Sequence, residues 1–161
     1  MPITTCPSPD NINPLSPNGF MFHIEKLPSM KYFCQSASIP SISLPTADQN
    51  TPMVIVPFKG EQLSYSDLTI TFLIDSHLGN YKALNKWMVD GFPTDKLTEP
   101  VFHSDGFLHV LGPNNNVVSS IQFTELLPIT LEALNFSTTS NDVQYLTGSV
   151  TFKYMYYTFV N

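Results

Sequence analysis

"DLTITFLIDSHLGNYKALNKWM", residues 67–88, decides the fold. Its first half alternates: Leu68, Ile70, Phe72 and Ile74 point one way, and Thr69 and Thr71 the other, as in a half-buried strand. The second half changes period. Leu78, Tyr81, Leu84 and Met88 recur at spacings of three and four with Trp87 beside them, while Asn80, Lys82, Asn85 and Lys86 fall on the opposite side. Asp75 or Ser76 is placed to supply an N-cap oxygen, and Gly91 followed by Pro93 ends the helix, which spans about 76–90.

The flanks read mostly as strands. "GFMFHIEKL" (19–27) sets Phe20, Phe22 and Ile24 against Met21, His23 and Glu25, and "KYFCQSASI" (31–39) follows across a short turn that would pair the two. Residues 40–62 hold Pro40, Pro45, Pro52 and Pro57, too many for a central strand, and read as a long projecting loop or open hairpin with "MVIVPF" as its edge. "GFLHVLG", the turn "PNNN" and "VVSSIQFTEL" form a hairpin. "ITLEALNFS" alternates less regularly. The final "LTGSVTFKYMYYTFV" is one long strand, with Val150, Phe152, Tyr154 and Tyr156 on one face and the other face also apolar. Residues 1–18 are rich in proline and read as an extended arm preceding a single domain, 19–161. The pattern is that of a mainly β fold: a β-sandwich or partly open barrel flanked by one α-helix. Tyr81, Leu84, Trp87 and Met88 would close its core.

Composition narrows the function. The chain has 161 residues, of which 42% are hydrophobic and only 12% charged. That charged share is about half the usual globular value, so much of the exterior is expected to meet protein. The 7 cationic residues are all lysine and face 13 acids, for a net charge of −6. Such a balance disfavours a DNA-gripping surface, which needs Lys/Arg clusters, but not a surface that DNA slides past. Cys6 and Cys34 lack metal-site or disulfide-framework spacing and read as free thiols. Neither a membrane span nor a signal peptide is indicated.

Catalytic signals are weak. His103, Asp105 and His109 in "HSDGFLH" are the best metal candidates, but no fixed spacing holds them together, and solvated loop residues are the simpler reading. There is no nucleophile elbow and no phosphate loop. No catalytic residue, cofactor or metal is expected. Tyr154, Tyr156 and Tyr157 raise a rival reading, a free β-sandwich module that binds glycans.

"GEQLSYSDLTITFLIDSHLGNYKALNKWMVDGFP" (60–93) resembles the tail-tube family of contractile-tailed bacteriophages, which includes the tube protein and the baseplate relatives that initiate the tube. Gly60 and Leu63 in a turn, Asp67 and Leu68 opening a strand with Phe72, then Asp75, the Asn80–Tyr81 pair and Trp87 carry the likeness. With "NGFMFHIEKLP" and "IPSISLP" it extends over residues 18–93, and the C-terminal strands agree in style.

That resemblance implies a structural virion protein of the tail, assembled in the host cytoplasm. Six copies would form a homohexameric ring, their strands completing one intersubunit β-barrel, and rings would stack into a tube through which DNA passes without specific binding. The long loop would contact neighbouring rings, with Pro45, Met53, Ile55 and Phe58 as stacking residues. Sheath, baseplate and tape-measure proteins are the implied partners, with Lys82 and Lys86 on the helix turned towards one of them. The length favours the repeating tube protein over the initiator.

Overall fold

The computed structural model describes residues 15–28, 30, 33–50, 52–91, 102–137 and 145–160. The expected arm falls largely on residues 1–14, and the link after the helix on 92–101; both lie outside the described residues. The elements in chain order are β1 Phe20–Ile24, β2 Cys34–Ala37, β3 Ile42–Ser43, β4 Thr46–Asn50, β5 Ile55–Lys59, β6 Ser64–Tyr65, β7 Leu68–Leu73, α1 Gly79–Asp90, β8 Ser104–Leu111, β9 Val117–Leu131, β10 Thr147–Lys153 and β11 Tyr156–Val160.

The main sheet runs β1-β8-β9-β10-β7-β2, with β11 also paired to β9, and every pairing is antiparallel. Period-two alternation sends Phe22, Ile24, Leu108, Ile121, Phe123, Val150, Phe152, Leu68, Ile70 and Phe72 into one core. Each large apolar side chain so buried contributes about 1.5–3 kcal/mol relative to exposure. Leu84 and Trp87 of α1 join the same core from its open side. The fold is the mainly β, helix-flanked architecture that the alternation predicts.

β9 governs the layering. It is 15 residues long; its first part pairs with β8 and β11, and its last part, Leu127–Leu131, pairs with β10. Between them Glu125 sits at φ 56°, a left-handed conformation that is uncommon outside glycine and kinks a strand. The Asp105 carboxylate holds the kink, accepting the Glu125 amide at 3.2 Å and the Gln122 side-chain amide at 3.2 Å. One strand thereby serves two layers.

Several expectations are corrected. β1 does not pair with β2: β1 joins β8 and β2 joins β7, because the chain between them turns inward to bury Leu27 and Met30. "VVSSIQFTEL" and "ITL" are one strand, not two. The final strand is interrupted at Tyr154–Met155, opposite the β9 kink. Beyond the break Tyr157, not Tyr156, pairs with the buried Phe123, and Tyr156 faces out.

The helix start also differs. Neither Asp75 nor Ser76 caps it; Leu78 occupies the N-cap position at φ 57° with no side-chain cap bond, which takes Leu78 off the helical face. Asn80, expected on the polar side, is 3% exposed. Its side-chain amide donates to the Leu73 carbonyl at 2.6 Å, and its oxygen accepts the amides of Tyr81 at 2.9 Å and Asp75 at 3.3 Å. Asn80 does from inside the turn what an N-cap does from before it, joining the end of β7 to the start of α1.

Candidate assembly surface

Among the described residues β4 and β5 pair only with each other, as a hairpin standing apart from the main sheet. β4 is polar, whereas β5 is "IVPFK". The register places Ile55 and Pro57 on one face and Val56 and Phe58 on the other, so both faces carry apolar groups. Met53 is 94% exposed, Ile55 64% and Phe58 51%. A two-stranded hairpin is marginal in water by itself, and exposed apolar strands invite another chain.

Its base is fastened. The Gly60 amide donates to the Pro45 carbonyl at 2.8 Å, and β3 pairs with β6 just behind. The Ser41 amide donates to Ser66 Oγ at 2.8 Å, and the Ser66 amide returns a bond to the Ser41 carbonyl at 3.0 Å. Two tyrosines tie this neck to the body: Tyr154 Oη donates to the Ser66 carbonyl at 2.8 Å and Tyr157 Oη to the Pro40 carbonyl at 3.2 Å. Their rings meet Tyr65 edge-on at centroid distances of 6.0 and 5.7 Å, with Phe123 beneath. Burial, followed by the neighbouring Tyr157, Tyr65 and Asp67, pushes the Tyr154 hydroxyl up to about 12. Tyr154 and Tyr157 are thus bonded inward, and Tyr156 is the one of the three that lies exposed on its strand.

The motif residues lie at the root of this projection and along the helix. Gly60 and Pro45 form the neck clamp. Asp67 precedes β7, and Phe72 is buried within it. Asp75 accepts the Leu78 amide on its carbonyl at 2.8 Å. Tyr81 Oη donates to the Glu132 carbonyl at 3.2 Å, tying α1 to the end of β9. Leu84 is fully buried. Trp87 packs on Phe152 and donates its indole N–H to the Phe102 carbonyl at 2.7 Å. Lys82 and Lys86 are exposed on the outer side of the helix.

The chemistry-bearing residues are dispersed. His103 is exposed, Asp105 is taken up by the β9 kink, and His109 Nδ1 lies 2.8 Å from Ser120 Oγ. Among the described residues no cluster of three or more His, Cys, Asp or Glu is placed to hold a metal ion. Burial pushes the Cys34 thiol up to about 11, leaving little thiolate at neutral pH. Among the described residues no helix is long and apolar enough to cross a membrane. The kink-holding role of Asp105 and the tyrosine clamp were missed by sequence reasoning, because both join residues far apart in the chain.

The described residues thus form an antiparallel β-sandwich with one bracing helix and a clamped, exposed apolar hairpin. The chain matches the phage tail tube protein family model over residues 12–160 and belongs to that family. Solved structures similar to it include a chain of the anti-feeding prophage baseplate, with TM-score 0.71 and 13% identity over 92% of this chain and 96% of that one. A chain of the cap that terminates the anti-feeding prophage tube is similar at TM-score 0.68 and 16% identity, covering 99% of each. One from the sheath–tube complex of an extracellular contractile injection system (PVC) is similar at TM-score 0.65 and 14% identity, covering 92% and 93%. At these identities the likeness is one of fold. A comparison with curated protein sequences finds no match.

Proposed function

We propose that this chain is the repeating subunit of a contractile-tail tube: a non-catalytic virion protein whose copies close into hexameric rings, stack, and let DNA pass during ejection. The observation that carries this reading is the β4–β5 hairpin, apolar on both faces and fastened at its neck, which is built to be covered by another copy. Family membership supports it, as does the fold shared with chains of sheath–tube and baseplate assemblies. Sheath, baseplate and tape-measure proteins are the proposed partners, with Lys82 and Lys86 on the open side of the helix. Pro45, Met53, Ile55 and Phe58 are assigned to ring stacking.

The test removes residues 46–57, joining Pro45 to Phe58 across a neck that is already closed. The shortened protein is expected to melt as a folded monomer and to form no tubes in electron micrographs, while the full chain forms rings and tubes. A full chain that sediments as a monomer at every concentration overturns the reading. A second reading, a single initiating ring at the baseplate, draws on the fold likeness to the baseplate chain. Copy number per particle separates the two, since an initiator is present in one ring's worth and a tube subunit in many.

A further inference from the structure

The chain has 6 methionines. Met1 lies outside the described residues, and the other side chains meet very different surroundings. Met30 is fully buried in the core, and Met21 and Met88 are half-buried. Met155 lies in the break between β10 and β11, 63% exposed, its amide donating to the Thr124 carbonyl at 3.0 Å. Met53 stands in the bend between β4 and β5 and is 94% exposed, more than any other large apolar side chain described.

A thioether sulfur so placed is open to two-electron oxidants. Its lone pair attacks one oxygen of a peroxide, the O–O bond breaks, an S–O bond forms, and the peroxide is reduced to water. The product is a sulfoxide, so a flexible apolar side chain has become a polar one with an acceptor oxygen. Two thiols reverse the step, returning the thioether with one disulfide and one water.

Position decides the consequence. A sulfoxide at Met30 would disrupt core packing. The β4–β5 hairpin, by contrast, pairs with no other strand among the described residues and is fastened at its neck by Gly60 and Pro45. An oxygen added at its tip leaves the main sheet and the helix as they were. It lands beside Val54 and Ile55, both mostly exposed, in a stretch with no charged residue between Asp48 and Lys59. A partner covering this end would have to take the sulfoxide oxygen out of water, which is unfavourable without a donor to meet it.

We infer that Met53 is a reversible oxidation site that switches assembly off. Peroxide-class oxidants convert its thioether to the sulfoxide, the fold stays intact, and the hairpin no longer docks on another copy. The inference rests on the stacking role proposed above for the hairpin. In a finished tube the tip is covered, so free subunits are the sensitive form.

The experiment uses the full chain with Cys6→Ser and Cys34→Ser, so that peroxide meets methionine sulfur only. Hydrogen peroxide is added to subunits, peptide mass spectrometry follows each methionine, and pelleting with electron microscopy reads tube yield. Met53 is expected to oxidise first and Met30 last. The thermal midpoint should hold while tube yield falls about tenfold or more. Methionine sulfoxide reductases, one for each sulfoxide epimer, should restore the yield. Met53→Leu should keep its yield after peroxide, whereas Met155→Leu should lose it as the parent does, which gives the answer even where leucine at 53 weakens stacking. Undiminished yield with Met53 fully oxidised overturns the inference, and so does a peroxide-resistant Met155→Leu. Failure of the untreated full chain to form tubes overturns the stacking reading itself, and is seen before any oxidant is added.

Discussion

The Gly60 amide and the Pro45 carbonyl meet at 2.8 Å, and a methyl group built on Gly60 would overlap that same oxygen. The approach closes the neck of the β4–β5 hairpin, and only a residue without Cβ permits it. Gly60→Ala is expected to pry the neck open at a local cost of about 1–3 kcal/mol. The core melting transition should stay close to that of the parent, because the hairpin stands apart from the core. Faster amide exchange along β4 and β5, together with a lower yield of tubes, checks this; unchanged exchange would mean the neck is held elsewhere.

Trp87 acts on the body instead. It is 8% exposed, packs on Phe152 and bonds the Phe102 carbonyl. Trp87→Ala should cost about 3–5 kcal/mol by leaving a cavity under the helix. Denaturant unfolding should show the loss in the isolated protomer. A variant that unfolds at the parent's midpoint yet fails to assemble would move Trp87 to an interface.

Asn80 tests the junction between strand and helix. Asn80→Ala leaves the Leu73 carbonyl without its side-chain donor, with an expected cost of about 1–3 kcal/mol. Asn80→Asp should be no better, because a carboxylate has no N–H to give that carbonyl. Chemical denaturation of the two variants side by side gives the answer; equal stability of Asn80→Asp and parent would show that the bond to Leu73 is dispensable.

The tyrosine clamp predicts alkaline sensitivity. Folded Tyr154 keeps its proton up to about 12, whereas an unfolded tyrosine releases it near 10.0. Between those values the folded state binds more protons, so its contribution is complete below the lower value and is lost as pH rises through the higher one. The midpoint of thermal unfolding should fall over that window in the parent. In Tyr154→Phe the fall should be shallower, from a lower starting point because the bond to Ser66 is gone. Parallel curves for the two proteins would place the alkaline transition elsewhere.

How much of this was legible in the sequence depends on how local the cause is. The β7 face of Leu68, Ile70 and Phe72 and the helical pair Leu84 and Trp87 follow from periodicity within a dozen residues. Glu125 gave no such sign, because its left-handed turn is held by Asp105, on a different strand. Asn80 looked like surface, since a polar side chain on a helix is usually solvated; its burial depends on the carbonyl that β7 happens to leave at its end. In the hairpin, "MVIVPF" announced an edge strand. Its partner "TADQN" did not, as Asp and Asn are poor strand formers, and only the Pro45–Gly60 closure brings it alongside.

The kinked β9 has a mechanical side. A strand stitched by backbone hydrogen bonds into both layers stops one layer from slipping over its neighbour unless those bonds tear. A thrust delivered to either layer is handed to the other along a continuous covalent spine, so the two layers move under load as a single stiff girder.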